Sequence, residues 1–212
     1  MSVEISEIER DILKEIINIG LAKAADSFAA IARDKVFLSV PDVQIIDPED
    51  MSMAMPSNNR TDAVIQSDIK GDMNGKTFIL FPEKQSTYLS SICIGPVETF
   101  KGNYPAMKRS LLLEISNMLT GSIVTQLANI FKVHLYGSAP VAVPFGVRKT
   151  FMDLISDFPI FKPFILTVNT QFINAGRMVE LPLIIVFDLD TVVKILGIIR
   201  EQSKDNKYWL KS

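Results

Sequence analysis

The sequence predicts an α+β fold in which two helix–strands–hairpin–helix halves, related by a pseudo-twofold axis, share an antiparallel sheet with two long helices. Three observations carry that expectation. The hydrophobic period switches between helical and strand-like in the same order twice along 212 residues. Two segments 99 residues apart, "DILKEIINIG" (11–20) and "SLLLEISNML" (110–119), share a polar triplet at identical spacing. Hydrophobic residues make up 48% of the chain, enough to bury a core of one largish domain.

The elements follow in order. Residues 6–32 read as one long helix, with apolar residues at Ile12, Ile16, Ile19, Ala24, Phe28 and Ile31. "KVFLSVPDVQIID" gives two short strands split by Pro41, which has no N–H to donate within a central ladder. A polar, turn-rich loop follows, whose Met51, Met53 and Met55 suit an edge strand or partly covered loop better than a ligand site. "DAVIQSDIKGDMNGKTFILFP" alternates, turns at "GDMNG" and alternates again, the pattern of a hairpin. A short helix opens after Pro82, and a second long helix runs from about Tyr104 to Phe131 with Pro105 in its first turn. The order then recurs: short strands around Pro140, a hairpin turning at "NAG", and a closing helix "LDTVVKILGIIREQ". The expected unit is a single domain spanning 1–212. Its halves cover about 6–100 and 104–202, followed by a tail at 203–212 that holds Trp209.

Composition excludes several function classes. A net charge of −2 offers no electrostatic footprint for nucleic acid. Cys93 stands alone, so neither a disulfide framework nor a thiolate metal cluster can form within the chain. His134 is the single histidine, which rules out a multi-histidine zinc site, and a lone histidine in an apolar segment is most often structural. The N-terminus is charged and amphipathic without a signal-peptide core, and no apolar run approaches the ~20 residues that cross a bilayer. A cytoplasmic protein without membrane insertion is expected.

Aligned at the 99-residue offset without gaps, the segments match at Glu15/Glu114, Ile16/Ile115, Asn18/Asn117, Ala29/Ala128, Ile31/Ile130, Ser39/Ser138 and Pro41/Pro140. Ordinary residue usage gives about two identities over such a stretch. Two amphipathic helices explain matching Ile and Ala. They do not explain a matching Glu, Asn and Pro. On a helix turning about 100° per residue, positions i, i+4 and i+7 lie within a stripe ~60° wide. Asp11, Glu15 and Asn18 therefore face one way, as do Ser110, Glu114 and Asn117. Small residues continue each stripe, Ala22 and Ala25 in one half and Gly121 in the other, so that another protein's surface can approach closely.

The pattern [Asp/Ser]-x3-Glu-x2-Asn-x22-Pro, met at Asp11, Glu15, Asn18 and Pro41 and again at Ser110, Glu114, Asn117 and Pro140, resembles the signature of the CheC/CheX/FliY phosphatases of bacterial and archaeal chemotaxis. With two motifs, few residues before Asp11 and no added domain, the chain is most similar to the CheC type. One departure is "NIGLAKAAD", where Ala22 and Lys23 stand at positions often Gly and Asn in the family. Lys23 brings a positive charge near the first stripe, whereas the second motif keeps Gly121.

The resemblance implies hydrolysis of the aspartyl phosphate of the response regulator CheY in two-component signalling, with Glu15, Asn18, Glu114 and Asn117 as catalytic residues. Asn can donate to and accept from a water while staying uncharged, so it suits water placement rather than proton abstraction. Glu15 and Glu114 are implied as partners of a lysine on the regulator, and Asp11 and Ser110 as docking contacts. Pro41 and Pro140 set the path of the chain after each helix. No cofactor or metal of the chain's own is expected; Mg2+ belongs on the phosphorylated CheY-like substrate, since this chain offers no compact carboxylate cage. CheD is the second partner the resemblance brings in. Two other readings compete: a non-catalytic CheC-like binding module, or an adaptor associated with the flagellar switch. A divalent-metal hydrolase built on Glu15 and Glu114 lacks a ligand cluster in the sequence.

Overall fold

The computed structural model describes residues 4–40, 43–45, 61–143, 164–173 and 175–204. Pro41, the Met51–Met53–Met55 loop and the tail with Trp209 lie outside them. The elements are α1 (Glu7–Ala32), β1 (Val36–Ser39), β2 (Val43–Ile45), β3 (Thr61–Gly71), β4 (Gly75–Pro82) and α2 (Glu83–Cys93). After a 3-10 turn at Val97–Thr99 come α3 (Tyr104–Phe131), β5 (Leu135–Gly137), β6 (Val141–Val143), β7 (Phe164–Phe172), β8 (Arg177–Phe187) and α4 (Leu189–Lys204). The α+β class expected from the sequence is the class observed.

The eight strands among the described residues join one antiparallel sheet in the order β1-β7-β8-β4-β3-β5, with β2 also on β7 and β6 also on β3. Exchanging the first half's strands for the second's returns the same order reversed. At the centre β4 meets β8, from Gly75↔Phe187 to Ile79↔Leu183. Pro182, whose ring removes a donor, sits just past the end of that pairing, where no β4 bond is required of it. The periodicity does not foretell one feature. Each half's short strands pair with the other half's hairpin, β1 and β2 on β7 and β5 and β6 on β3. The two halves therefore cannot separate without breaking the sheet.

The long helices pack against each other and share a single core with one face of the sheet. From α1 this core takes Ile12, Ile16, Ala24 and Phe28, and from α3 Leu112, Ile115, Leu119 and Ile123. Ile19 and Ile31 are only half-buried. Gly20 is buried at the helix seam, where a Cβ would stand 3.1 Å from the Ser122 carbonyl oxygen and 3.2 Å from the Ile123 Cα. Its absent side chain sets how closely the helices approach. By length and composition α3 passes for a membrane-crossing helix, unlike anything the sequence reading anticipated. Most of its apolar residues, among them Leu112, Ile115, Leu119 and Ile123, are buried in the core, which accounts for its hydropathy.

Both long helices end alike. Arg33 (φ 52°) and Lys132 (φ 53°), 99 residues apart, adopt the left-handed conformation, and their N–H groups bond the carbonyls of Ala29 and Ala128. A side chain with a Cβ there costs about 1–2 kcal/mol, part of which glycine gives back through its looser unfolded chain. Lys132→Gly is therefore expected to stabilise by about 0.5–1 kcal/mol and raise Tm by roughly 1–4 °C in a thermal melt. A lower Tm contradicts this reading of the cap.

The start of α1 is clasped to α4. Ser6 forms a capping box with Glu9: its hydroxyl accepts from the Glu9 N–H at 3.3 Å, and its N–H donates to Glu9 Oε2 at 2.7 Å. Glu9 Oε1 accepts from Arg200 Nε of α4 at 2.6 Å. Burial pushes the Glu9 carboxyl up, but the Arg200 and Ser6 hydrogen bonds and the Arg200 charge together hold it below its usual value of 4.5. A depressed carboxyl stabilises the fold above its unfolded pKa, and that contribution disappears as pH falls through the folded value. Arg200→Ala should cost about 1 kcal/mol at neutral pH, since Arg200 is half-exposed and partly screened. In denaturant melts the gap from the native protein should close as the pH drops below 4.5. An undiminished gap in acid contradicts the assignment.

Candidate functional site

Each motif lies on one long helix, and the structure places the members as the 100° repeat requires. Asp11, Glu15, Ser110, Glu114 and Asn117 are exposed, and Asn18 is half-buried. Ala22 is exposed, and around the Cβ position of Gly121 there is no atom within 4 Å, so both stripes run into open, low-relief surface. The carboxamides differ between the halves. Asn18 Nδ2 donates to the Val40 carbonyl at 3.1 Å, and its Oδ1 accepts from the Val40 N–H at 2.7 Å. Val40 is buried and lies beyond the last paired residue of β1, and among the described residues the side chain of Asn18 serves it as a one-residue ladder partner.

The 22-residue reach of that contact has a simple geometry. From Asn18 to the end of α1 the helix descends about 21 Å, and the extended return from Asp34 to Val40 climbs about 20 Å. The chain thus closes on itself at the residue before Pro41. The same spacing brings Ala139 and half-buried Pro140 back along α3. There the neighbouring Ser138 anchors to β3 instead: its hydroxyl accepts from the Asp68 N–H, and its own N–H donates to the Asp68 carbonyl, each at 2.8 Å. Asn117 has no hydrogen-bond partner among the described residues. One carboxamide is engaged and the other is open.

Lys23 is drawn away from the first stripe, its Nζ donating to Gln126 Oε1 across the helix seam at 2.8 Å. Cys93 is half-buried with its thiol pushed up to about 11 by burial, so it is no nucleophile at neutral pH. The backbone of His134 ties the β3–β4 turn, donating to Asp72 Oδ2 at 2.8 Å and accepting from the Asp72 N–H at 2.9 Å. Among the described residues no three of His, Cys, Asp and Glu gather as a metal-ligand set. Two structural residues went unread in the sequence, Val40 and Gly20. The fixed Asn-x22-Pro spacing was the available signal for the first; nothing marked the second.

A pseudo-twofold sheet backed by two long helices, each with an exposed Glu one turn before an Asn, defines the architecture against which known proteins can be set. Residues 107–143, which hold all of the second motif, match the CheC-like family model. The chain is homologous to the CheY-P phosphatase CheC of Bacillus subtilis (strain 168), 29% identical over 140 residues that make up 64% of this chain and 66% of that protein. It is also homologous to the flagellar motor switch phosphatase FliY of the same organism, 24% identical over 65% of this chain, although only 36% of FliY is spanned. Among solved structures, Thermotoga maritima FliY superposes with a TM-score of 0.71 at 16% identity, covering 94% of this chain and 99% of that one. FliM from H. pylori, in its complex with FliG, gives 0.64 at 11% identity, covering 91% and 100%. At these identities the two structures share the fold alone.

Proposed function

We propose that this protein hydrolyses the aspartyl phosphate of a CheY-like response regulator, and that the second site carries most of the activity. The supporting observation is the open Asn117 carboxamide one helical turn beyond exposed Glu114, on a face with no side-chain relief at Gly121. The names of the curated relatives point the same way. In the reaction, Asn117 holds a water in line with phosphorus. The water oxygen bonds to phosphorus, the bond to the regulator's carboxylate oxygen breaks, and inorganic phosphate leaves. Glu114 pairs with a cation beside the phosphoryl group and fixes the approach. Mg2+ stays with the regulator. At the first site Asn18 must release Val40 before it can do the same, so Glu15 and Asp11 serve chiefly in docking there. Half-buried Pro140 follows the return strand behind the second site. CheD, which the resemblance brings in, fits the reading as a regulatory partner.

The fold is shared with proteins of other names, so the activity has to be tested at the site. Phosphate release from a phosphorylated CheY-like regulator is the test. Acceleration by the native chain supports the proposal. Binding of the regulator without acceleration leaves the binding-module reading in its place.

A further inference from the structure

Ten large hydrophobic residues are markedly exposed among the described residues, and four of them form two pairs at the 99-residue offset. One pair, Phe37 and Tyr136, sits on β1 and β5. The other, Ile8 (70% exposed) and Met107 (47% exposed), sits at the head of the two motif helices. Each stands seven residues before its Glu, which puts it about 10 Å up the helix axis and only ~20° around it. Four residues beyond each Glu comes a second apolar side chain in register, half-buried Ile19 and half-buried Met118. In both halves, then, Glu lies in a line between two apolar side chains, with Asn to one side.

From this arrangement we infer that Met107, and Ile8 in the first half, are anchor residues that dock the substrate protein and set its affinity without touching the reacting atoms. The inference rests on the phosphatase reading and extends the surface of that site. Core packing does not ask for an exposed hydrophobe at either position, and chance placement would not repeat it in register with the motif. Continuity decides the occupant. The partner that brings an acyl phosphate and a cation to Glu114 and Asn117 covers the same ~16 Å strip between Met107 and Met118. That partner has to present an apolar patch beside its phosphorylated carboxylate. Desolvated apolar anchors rimmed by polar contacts are where interfaces concentrate their affinity, and the flexible thioether of methionine adapts to such a patch.

The test titrates the beryllofluoride-activated CheY-like regulator into the full chain and into Met107→Asp, with phosphate release measured separately. Met107→Asp should bind about tenfold more weakly and raise KM in proportion, with kcat and Tm unchanged. Met107→Leu should behave as the native protein. Equal affinities for the native chain and Met107→Asp overturn the anchor, and so does a native chain that does not bind the regulator. Weaker binding by Met107→Asp, with no phosphate release by either protein, sinks the phosphatase reading and leaves the anchor standing.

Discussion

Asn117→Ala should reduce kcat for phosphate release from a phosphorylated CheY-like regulator by about 100-fold while leaving Tm unchanged. Both halves of that expectation come from the same observation. The Asn117 side chain is exposed and has no hydrogen-bond partner among the described residues, so truncating it leaves none of them unpaired. What it removes is the group that would hold the water in line with phosphorus. KM should change little, because the docking strip of Met107, Ser110 and Glu114 survives. Asn117→Asp is the sharper control. It keeps the acceptor, loses the donor and sets a negative charge against the phosphoryl oxygens, so it should be as slow as the alanine variant. A rate near native for either variant removes Asn117 from the chemistry.

Asn18→Ala should behave in the opposite way, with its larger effect on stability. Val40 is buried, and both of its backbone groups bond the Asn18 carboxamide. Alanine leaves a donor and an acceptor without partners, and each unsatisfied buried group costs on the order of 1–3 kcal/mol. Water reaching a half-buried position recovers some of this, so a total loss of about 2 kcal/mol and a drop in Tm of roughly 4–8 °C are expected. Asn18→Asp keeps the bond from the Val40 N–H and sets a carboxylate against the Val40 carbonyl, so it should also be destabilised. Below the melting range Asn18→Ala should retain most of the phosphatase rate. Native-like stability of Asn18→Ala in denaturant contradicts the clasp.

Local patterns made most of the elements legible. The alternation of β3 and β4 around "GDMNG", the helical period from Glu7 to Ala32 and the Pro105 start of α3 are each set by forces acting within a dozen residues. The stripe was legible for the same reason, since i, i+4 and i+7 share a face on any α-helix. Features involving distant residues were not. The exchange of short strands between halves depends on which edge of a finished sheet accepts β1 and β5, and no local preference records that. The close approach at Gly20 needs both helices in place before its meaning appears. Most telling is the Asn18–Val40 clasp. The repeat made Asn18 and Asn117 look equivalent, because sequence spacing is identical in the two halves. The two sites differ in their return strands: Val40 bonds Asn18, whereas in the second half Ser138 bonds Asp68 and no described residue bonds Asn117.

The most direct test of a working carboxamide at the second site is one time course: decay of the phosphorylated regulator with the native chain, Asn18→Ala, Asn117→Ala and the double variant, at a temperature where all four are folded. The expected result is fast decay with the native chain, nearly the same with Asn18→Ala, a large slowing with Asn117→Ala, and the regulator's own unaided rate with the pair. Decay at the unaided rate with the native chain, or at the native rate with Asn117→Ala, contradicts it.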